Sequence, residues 1–192
     1  AGNDPRLGGN EAPPAIVSIF LGDELTAVLD AIENDTYFDK SQKTPMEIGA
    51  AVIPRFFKDS TDRNRTSPFA FTGNKFEFRM LGSSLSVSGP NIVLNTAVAE
   101  ALRQFYEELK DVPAGEMDSA VHALLKRAIV KHKRIIFNGN GYTEEWVQEA
   151  ARRGLDNLVS TPDALPRFIA PKSIELFTSH HIFTKDEILS RY

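Results

Sequence analysis

The stretch best equipped for chemistry is Lys75-Phe76-Glu77-Phe78-Arg79-Met80. Side chains alternate along a β-strand, so Phe76, Phe78 and Met80 line one face and Lys75, Glu77 and Arg79 the other. Three apolar side chains in register predict a strand packed on a core. The opposite face carries a carboxylate with a cation two residues to either side. Such alternation also suits a half-exposed strand whose charges make weak, solvated contacts. The sharper alternative is a ligand site, with Glu77 holding a hard divalent cation through oxygen and Arg79 and Lys75 gripping anionic groups. That face would suit phosphoryl chemistry, where positioning and charge neutralisation do most of the catalysis. Arg63-Asn64-Arg65 adds cationic charge upstream, and Arg6 and Glu11 sit on a Gly/Pro-rich loop of the kind that carries functional groups.

The elements that must position these residues follow from periodicity and punctuation. Residues 15–21 form a short apolar run between Pro14 and Gly22, which predicts a buried strand. Asp23 is placed to cap a helix carrying Leu25, Val28, Leu29 and Ile32 and ending near Asn34. Residues 68–71 and 75–80, separated by Thr72-Gly73-Asn74, predict a hairpin or two consecutive strands, with a Ser/Gly-rich loop over 82–89. From Pro90 the pattern turns helical. Ile92, Leu94, Val98, Ala101, Leu102, Phe105 and Leu109 trace one face of a helix stopped by Pro113. A second long helix, capped by Asp118 or Ser119, carries Val121, Leu124, Leu125, Ala128 and Ile129 and ends at Asn138-Gly139-Asn140-Gly141. Thr143, Thr161 and Thr184 mark further helix starts, and Arg152-Arg153-Gly154 a stop. Trp146, Phe137 and Tyr142 are expected to close the helix pairs as core residues. Strands first and helices after make an α+β fold.

Composition narrows the function classes. With 192 residues, 42% hydrophobic and 25% charged, the chain can bury a core, so wholesale disorder is excluded. The charge sum is 22 − 26 = −4, which argues against a general nucleic-acid binder. There is no cysteine, hence no disulfide or thiolate metal site, and no apolar run approaches the length of a membrane span. No partnership with nucleic acid or membrane is therefore expected. His122 and His132 lie in a basic run with Lys126, Arg127, Lys131, Lys133 and Arg134, which fits a solvated helix face, or else an RNA or acidic-partner surface. His180-His181 fits a structural or exposed pair better than a metal site. The chain opens Ala1-Gly2-Asn3 and closes on Ser190-Arg191-Tyr192 directly after a helical pattern, which leads us to expect a stretch cut from a longer protein.

In combination these residues resemble a known family. Arg6-Leu7 followed by Glu11-Ala12-Pro13, then Asn64-Arg65-Thr66-Ser67, then Lys75-Phe76-Glu77-Phe78-Arg79 and a long helix from Gly89-Pro90-Asn91 resembles the catalytic domain of glutamine synthetase. The spacing is similar to the large type III form, since some 40 residues separate Asp23 from Arg63. Residues 1–88 are expected to form part of the catalytic domain, with a family-specific insertion at about 23–60, and 89–192 its helical C-terminal part.

The resemblance implies ATP-dependent ligation of ammonia to glutamate through a γ-glutamyl phosphate, assisted by Mg2+ or Mn2+. It makes Glu77 a metal ligand and places Arg79 and Arg6 on the glutamate carboxylate. Arg65 would meet the transferred phosphoryl group, Lys75 the nucleotide, and Glu11 would close the site and help deprotonate ammonium. It further implies a cytoplasmic parent that self-associates into a ring-shaped homo-oligomer. Two departures stand out. Ser67-Pro68-Phe69-Ala70 occupies ground where the family has a second arginine, and the loop from Arg6 to Glu11 is one residue short. The remaining carboxylate and His ligands have no counterpart at suitable spacing, so the isolated chain is expected to be inactive. The alternative is a non-catalytic helical interaction module.

Overall fold

The computed structural model describes residues 15–38, 67–79 and 86–192. Arg6, Glu11 and Arg65, the Asp23–Arg63 spacing beyond residue 38, and Met80 lie outside these described residues. The order is β1 (Ile19–Phe20), α1 (Gly22–Asn34), β2 (Phe69–Phe71), β3 (Phe76–Phe78), α2 (Ser88–Leu109), α3 (Met117–His132), α4 (Glu144–Arg152), α5 (Thr161–Ala164), α6 (Pro171–Ser179) and α7 (Lys185–Arg191). This is the α+β arrangement expected, with a mixed three-stranded sheet in which β1 runs parallel to β2 and β2 antiparallel to β3.

The apolar run at 15–21 yields only a two-residue strand. Ile16 and Ser18 are buried but Val17 is exposed, so the segment is covered mainly on one side. Its other neighbour is the end of the α3 connection: Ile19 bridges Ile136, and Phe137 N–H donates to Ile19 O at 2.9 Å.

The start of α1 differs from expectation. Asp23 does not cap it; the helix begins at Gly22, whose φ of 76° suits a residue without Cβ. The cap comes from Asn138, whose Oδ1 accepts from Leu21 N–H at 3.0 Å and Gly22 N–H at 3.1 Å. Its Nδ2 donates to Thr26 Oγ1 at 2.9 Å. A side-chain oxygen at a helix N-terminus satisfies amides that have no intrahelical acceptor, wherever it lies in sequence. Asn138→Ala is expected to lower stability by about 1–2 kcal/mol, read as a shift in the urea midpoint at unchanged slope.

The long helices also depart in detail. α2 starts at Ser88, within the expected loop, and ends at Leu109 as anticipated. Neither Asp118 nor Ser119 caps α3; a 3₁₀ turn over Ala114–Glu116 leads into it instead. The helix stops at His132, and the chain is extended by Ile136, ahead of the Asn/Gly run. The basic run of α3 is not a bare solvated face. Lys126 and His122 pair with Asp35 at the end of α1, Lys133 with Glu33, and Arg127 with Glu108 of α2. These side chains tie α3 and the turn after it to α1 and α2. Midway along α2, Glu100 accepts from Arg103, Gln104 and, at 2.8 Å, His180 beyond α6, and these donors hold its carboxyl well below the usual range.

The apolar stripe expected on α2 does not face a core. Val98 and Leu102 are 56% and 61% exposed, whereas Thr96 is buried. The helix turns Thr96 and Glu100 inward and carries much of its apolar face outside.

Burial concentrates at α4. Ile16, Trp146 and Ala150 form the core, flanked by Phe137, Val147 and Leu155, and Phe137 stacks on Trp146 with centroids 3.8 Å apart. Tyr142, expected in this core, is exposed instead, since its turn leads the ring outward ahead of the helix. The helix itself starts as the sequence predicts, with Thr143 Oγ1 accepting from Trp146 N–H, and Gly154 at φ 68° follows its end. α7 opens with a reciprocal capping box between Thr184 and Glu187.

Glu149 on α4 accepts from both Arg152 and Arg153, which lower its carboxyl from 4.5 to about 2. A carboxylate with a depressed folded-state pKa contributes stability above its unfolded value and loses it as pH falls through the folded one. Wild type should therefore lose stability relative to Glu149→Gln as pH drops from about 4.5 towards 2, measured as the difference between their acid-unfolding curves.

Candidate functional site

The charged face that could do chemistry is built on the β2–β3 hairpin. Phe69, Ala70 and Phe71 stand opposite Phe78, Glu77 and Phe76. Thr72 N–H donates to Lys75 O at 2.8 Å and closes the turn, with Gly73 at φ 93° supplying the left-handed residue it needs. Arg79 N–H donates to Pro68 O at 2.8 Å and extends the pairing beyond β3. Alternation then sets Lys75, Glu77 and Arg79 in a row.

The row is a graded one. Side-chain exposure falls from 65% at Lys75 to 38% at Glu77 and 16% at Arg79. Glu77 Oε2 accepts from Arg79 Nε at 3.2 Å and Nη2 at 3.0 Å, and Oε1 lies 3.3 Å from Lys75 Nζ. The Arg79 guanidinium, with Lys75 second, holds the Glu77 carboxyl below its ordinary range. Ala70, the cross-strand neighbour of Glu77, is fully buried and too short to reach the carboxylate. The sequence pattern Phe69-Ala70-Phe71, with a small residue between two large ones, already carries that signal.

The other face corrects an expectation. The phenylalanines do not sit on a deep core but pack against one another, Phe69 with Phe76 at 5.6 Å, Phe71 with Phe76 at 5.2 Å and Phe69 with Phe78 at 6.1 Å. Phe76 is 48% exposed. A sheet this small offers no second layer over its apolar side among the described residues.

Chemically, the row presents one ionised carboxylate between two cations. Glu77 is a hard oxygen donor, partly exposed and kept charged, and so fits a divalent cation as a single ligand. Among the described residues no three His, Cys, Asp or Glu side chains gather into a metal-binding group. His122 and His180 are committed to Asp35 and Glu100, while His132 and His181 are exposed. Of the residues singled out from sequence, Lys75, Glu77 and Arg79 are thus brought together, and Arg6, Glu11 and Arg65 lie outside the described residues. No described helix is long and apolar enough to cross a membrane.

Comparison with known proteins adds a second line. The family model for the glutamine synthetase C-terminal domain matches residues 120–192. Over 191 residues, 99% of this chain, the sequence is 49% identical to a type-3 glutamine synthetase of Dictyostelium discoideum. It is 50% identical over 199 aligned residues to a glutamine synthetase of Butyrivibrio fibrisolvens, and 45% over 197 to one of Bacteroides fragilis. The chain spans about a quarter of these relatives, 26% to 27% of their length.

Proposed function

We propose that this chain, similar over its length to glutamine synthetases including a type-3 one, is a portion of such an enzyme and supplies one wall of the site at which ammonia is ligated to glutamate at the expense of ATP. The observation that carries this is the Lys75–Glu77–Arg79 row on the β2–β3 hairpin. Glu77 holds a catalytic Mg2+ or Mn2+, which when bound offsets the negative charge of phosphates and carboxylate. Arg79, together with Arg6, binds the carboxylate of glutamate in the forked geometry guanidinium offers. Lys75, the outermost of the row, meets the nucleotide. Arg65 meets the phosphoryl group as it passes from ATP to the glutamate side chain, and Glu11 closes the site and takes a proton from ammonium before nitrogen displaces phosphate.

Residues 1–88 contribute this catalytic portion and 89–192 its helical support. The remaining ligands belong to the rest of the parent, which works in the cytoplasm as a ring-shaped homo-oligomer, so this chain alone is inactive. In the complete protein Glu77→Ala should lower metal-dependent turnover about 100-fold or more, since it removes a group that offsets charge in the transition state. Unchanged turnover would favour the second reading, a non-catalytic helical interaction module. The outward apolar stripe of α2 is the observation on its side.

A further inference from the structure

Two Asn-Gly steps, Asn138-Gly139 and Asn140-Gly141, follow one another ahead of α4, and the chain has no other. Asparagine before glycine is open to a reaction of its own: the next backbone nitrogen can reach the side-chain carbonyl carbon, and a residue without Cβ puts nothing in the way. The fold treats the two carboxamides differently. Asn138 is held at both ends, Oδ1 by Leu21 N–H at 3.0 Å and Gly22 N–H at 3.1 Å, and Nδ2 by Thr26 Oγ1 at 2.9 Å. Turning its Cγ onto Gly139 N would break these bonds and strip the cap from α1. Asn140 is exposed, and among the described residues its side chain makes a single hydrogen bond, Oδ1 accepting from Tyr142 N–H at 2.9 Å. That bond folds the carboxamide back along its own backbone, past Gly141. It also sets an N–H on the oxygen that gains negative charge when the carbonyl is attacked. Gly141 is buried, yet among the described residues no acceptor meets its N–H, so this nitrogen has no hydrogen bond to lose with its proton.

We propose that Asn140 is a site of spontaneous deamidation, and that Asn138 beside it is protected by its role as the α1 cap. Gly141 N, losing its proton to hydroxide, attacks Asn140 Cγ. The new N–Cγ bond closes a succinimide ring, and the Cγ–Nδ2 bond breaks as ammonia leaves with a proton from water. A second water then opens the ring. Cleavage of N–Cγ leaves aspartate; cleavage between that nitrogen and the main-chain carbonyl carbon of residue 140 leaves isoaspartate, whose backbone runs through the side chain and is longer by a carbon. The net change is amide and water to carboxylate and ammonium. The altered residue bears on α4: Asn140 O accepts from Thr143 N–H at 3.4 Å and Thr143 Oγ1 at 3.3 Å, and Thr143 Oγ1 in turn caps Trp146 N–H. Isoaspartate at 140 therefore loosens the start of the helix that carries the core tryptophan.

The test is peptide mass spectrometry on the full-length wild-type protein, incubated at mildly alkaline pH both folded and unfolded in urea. In the folded protein the acid should accumulate at position 140 at least severalfold faster than at 138, with isoaspartate among its products. In urea the two positions should convert at similar rates, since both precede glycine and neither is held. Equal rates at the two positions in the folded protein, or a faster rate at 138, overturn the proposal. So does an amide that persists at 140 over the period in which the unfolded chain converts. A preference for 140 that survives unchanged in urea assigns the difference to neighbouring sequence and overturns the protection by the cap.

Discussion

Replacing Trp146 with alanine should cost about 3–5 kcal/mol, the range for deleting a large aromatic side chain from a packed interior. Trp146 is 2% exposed, forms the core with Ile16 and Ala150, and is stacked against Phe137 at 3.8 Å with the rings nearly parallel. The Arg153 guanidinium lies 5.4 Å from its ring centre. Truncation therefore removes apolar burial, ring stacking and a cation–π contact together. For a chain of this size the melting temperature should fall by roughly 10 °C. Calorimetry or near-ultraviolet dichroism would read the change, and a shift of only a degree or two would contradict the core described.

Ile188→Ala should be the second large effect, about 2–5 kcal/mol. Ile188 is 0% exposed and sits on α7, the last helix of the chain. A seven-residue helix is far too short to persist by itself, so its order must come from docking and from the Thr184–Glu187 capping box. The neighbouring helix α6 buries Phe177, which meets Phe168 at 5.7 Å and Phe183 at 5.5 Å. Loss of the Ile188 side chain should let α7 fray first, seen as faster amide hydrogen exchange over residues 185–191 before global unfolding. Protection there equal to wild type would contradict the role assigned to this side chain.

What could be read from the chain divides along a physical line. Local chemistry was legible: the Thr143 and Thr184 caps, the stop at Gly154, the turn around Gly73 and the alternation that sets Lys75, Glu77 and Arg79 in a row each depend on residues within a few positions. What escaped depends on distant partners. Nothing near Gly22 announces that Asn138 will cap α1, and the basic run on α3 looks solvated until Asp35, Glu33 and Glu108 are brought to it. The direction an apolar stripe faces is likewise set by docking, and α2 puts Thr96 inside and Leu102 outside. The same limit applied to the site. Sequence placed a carboxylate between two cations, but the split of its oxygens, two guanidinium nitrogens on one and an ammonium on the other, needed the fold.

The Asn138 cap also sets a timetable. Gly22 leaves the ribosome 116 residues before the side chain that satisfies its amide. At roughly 5–20 residues per second, that interval is about 6–23 s. Until then β1 lacks its neighbour at Ile136 and α1 lacks both its cap and the acids' partners on α3. For that interval the segment 15–34 is synthesised but lacks these particular partners, which is the window in which a chaperone would find it.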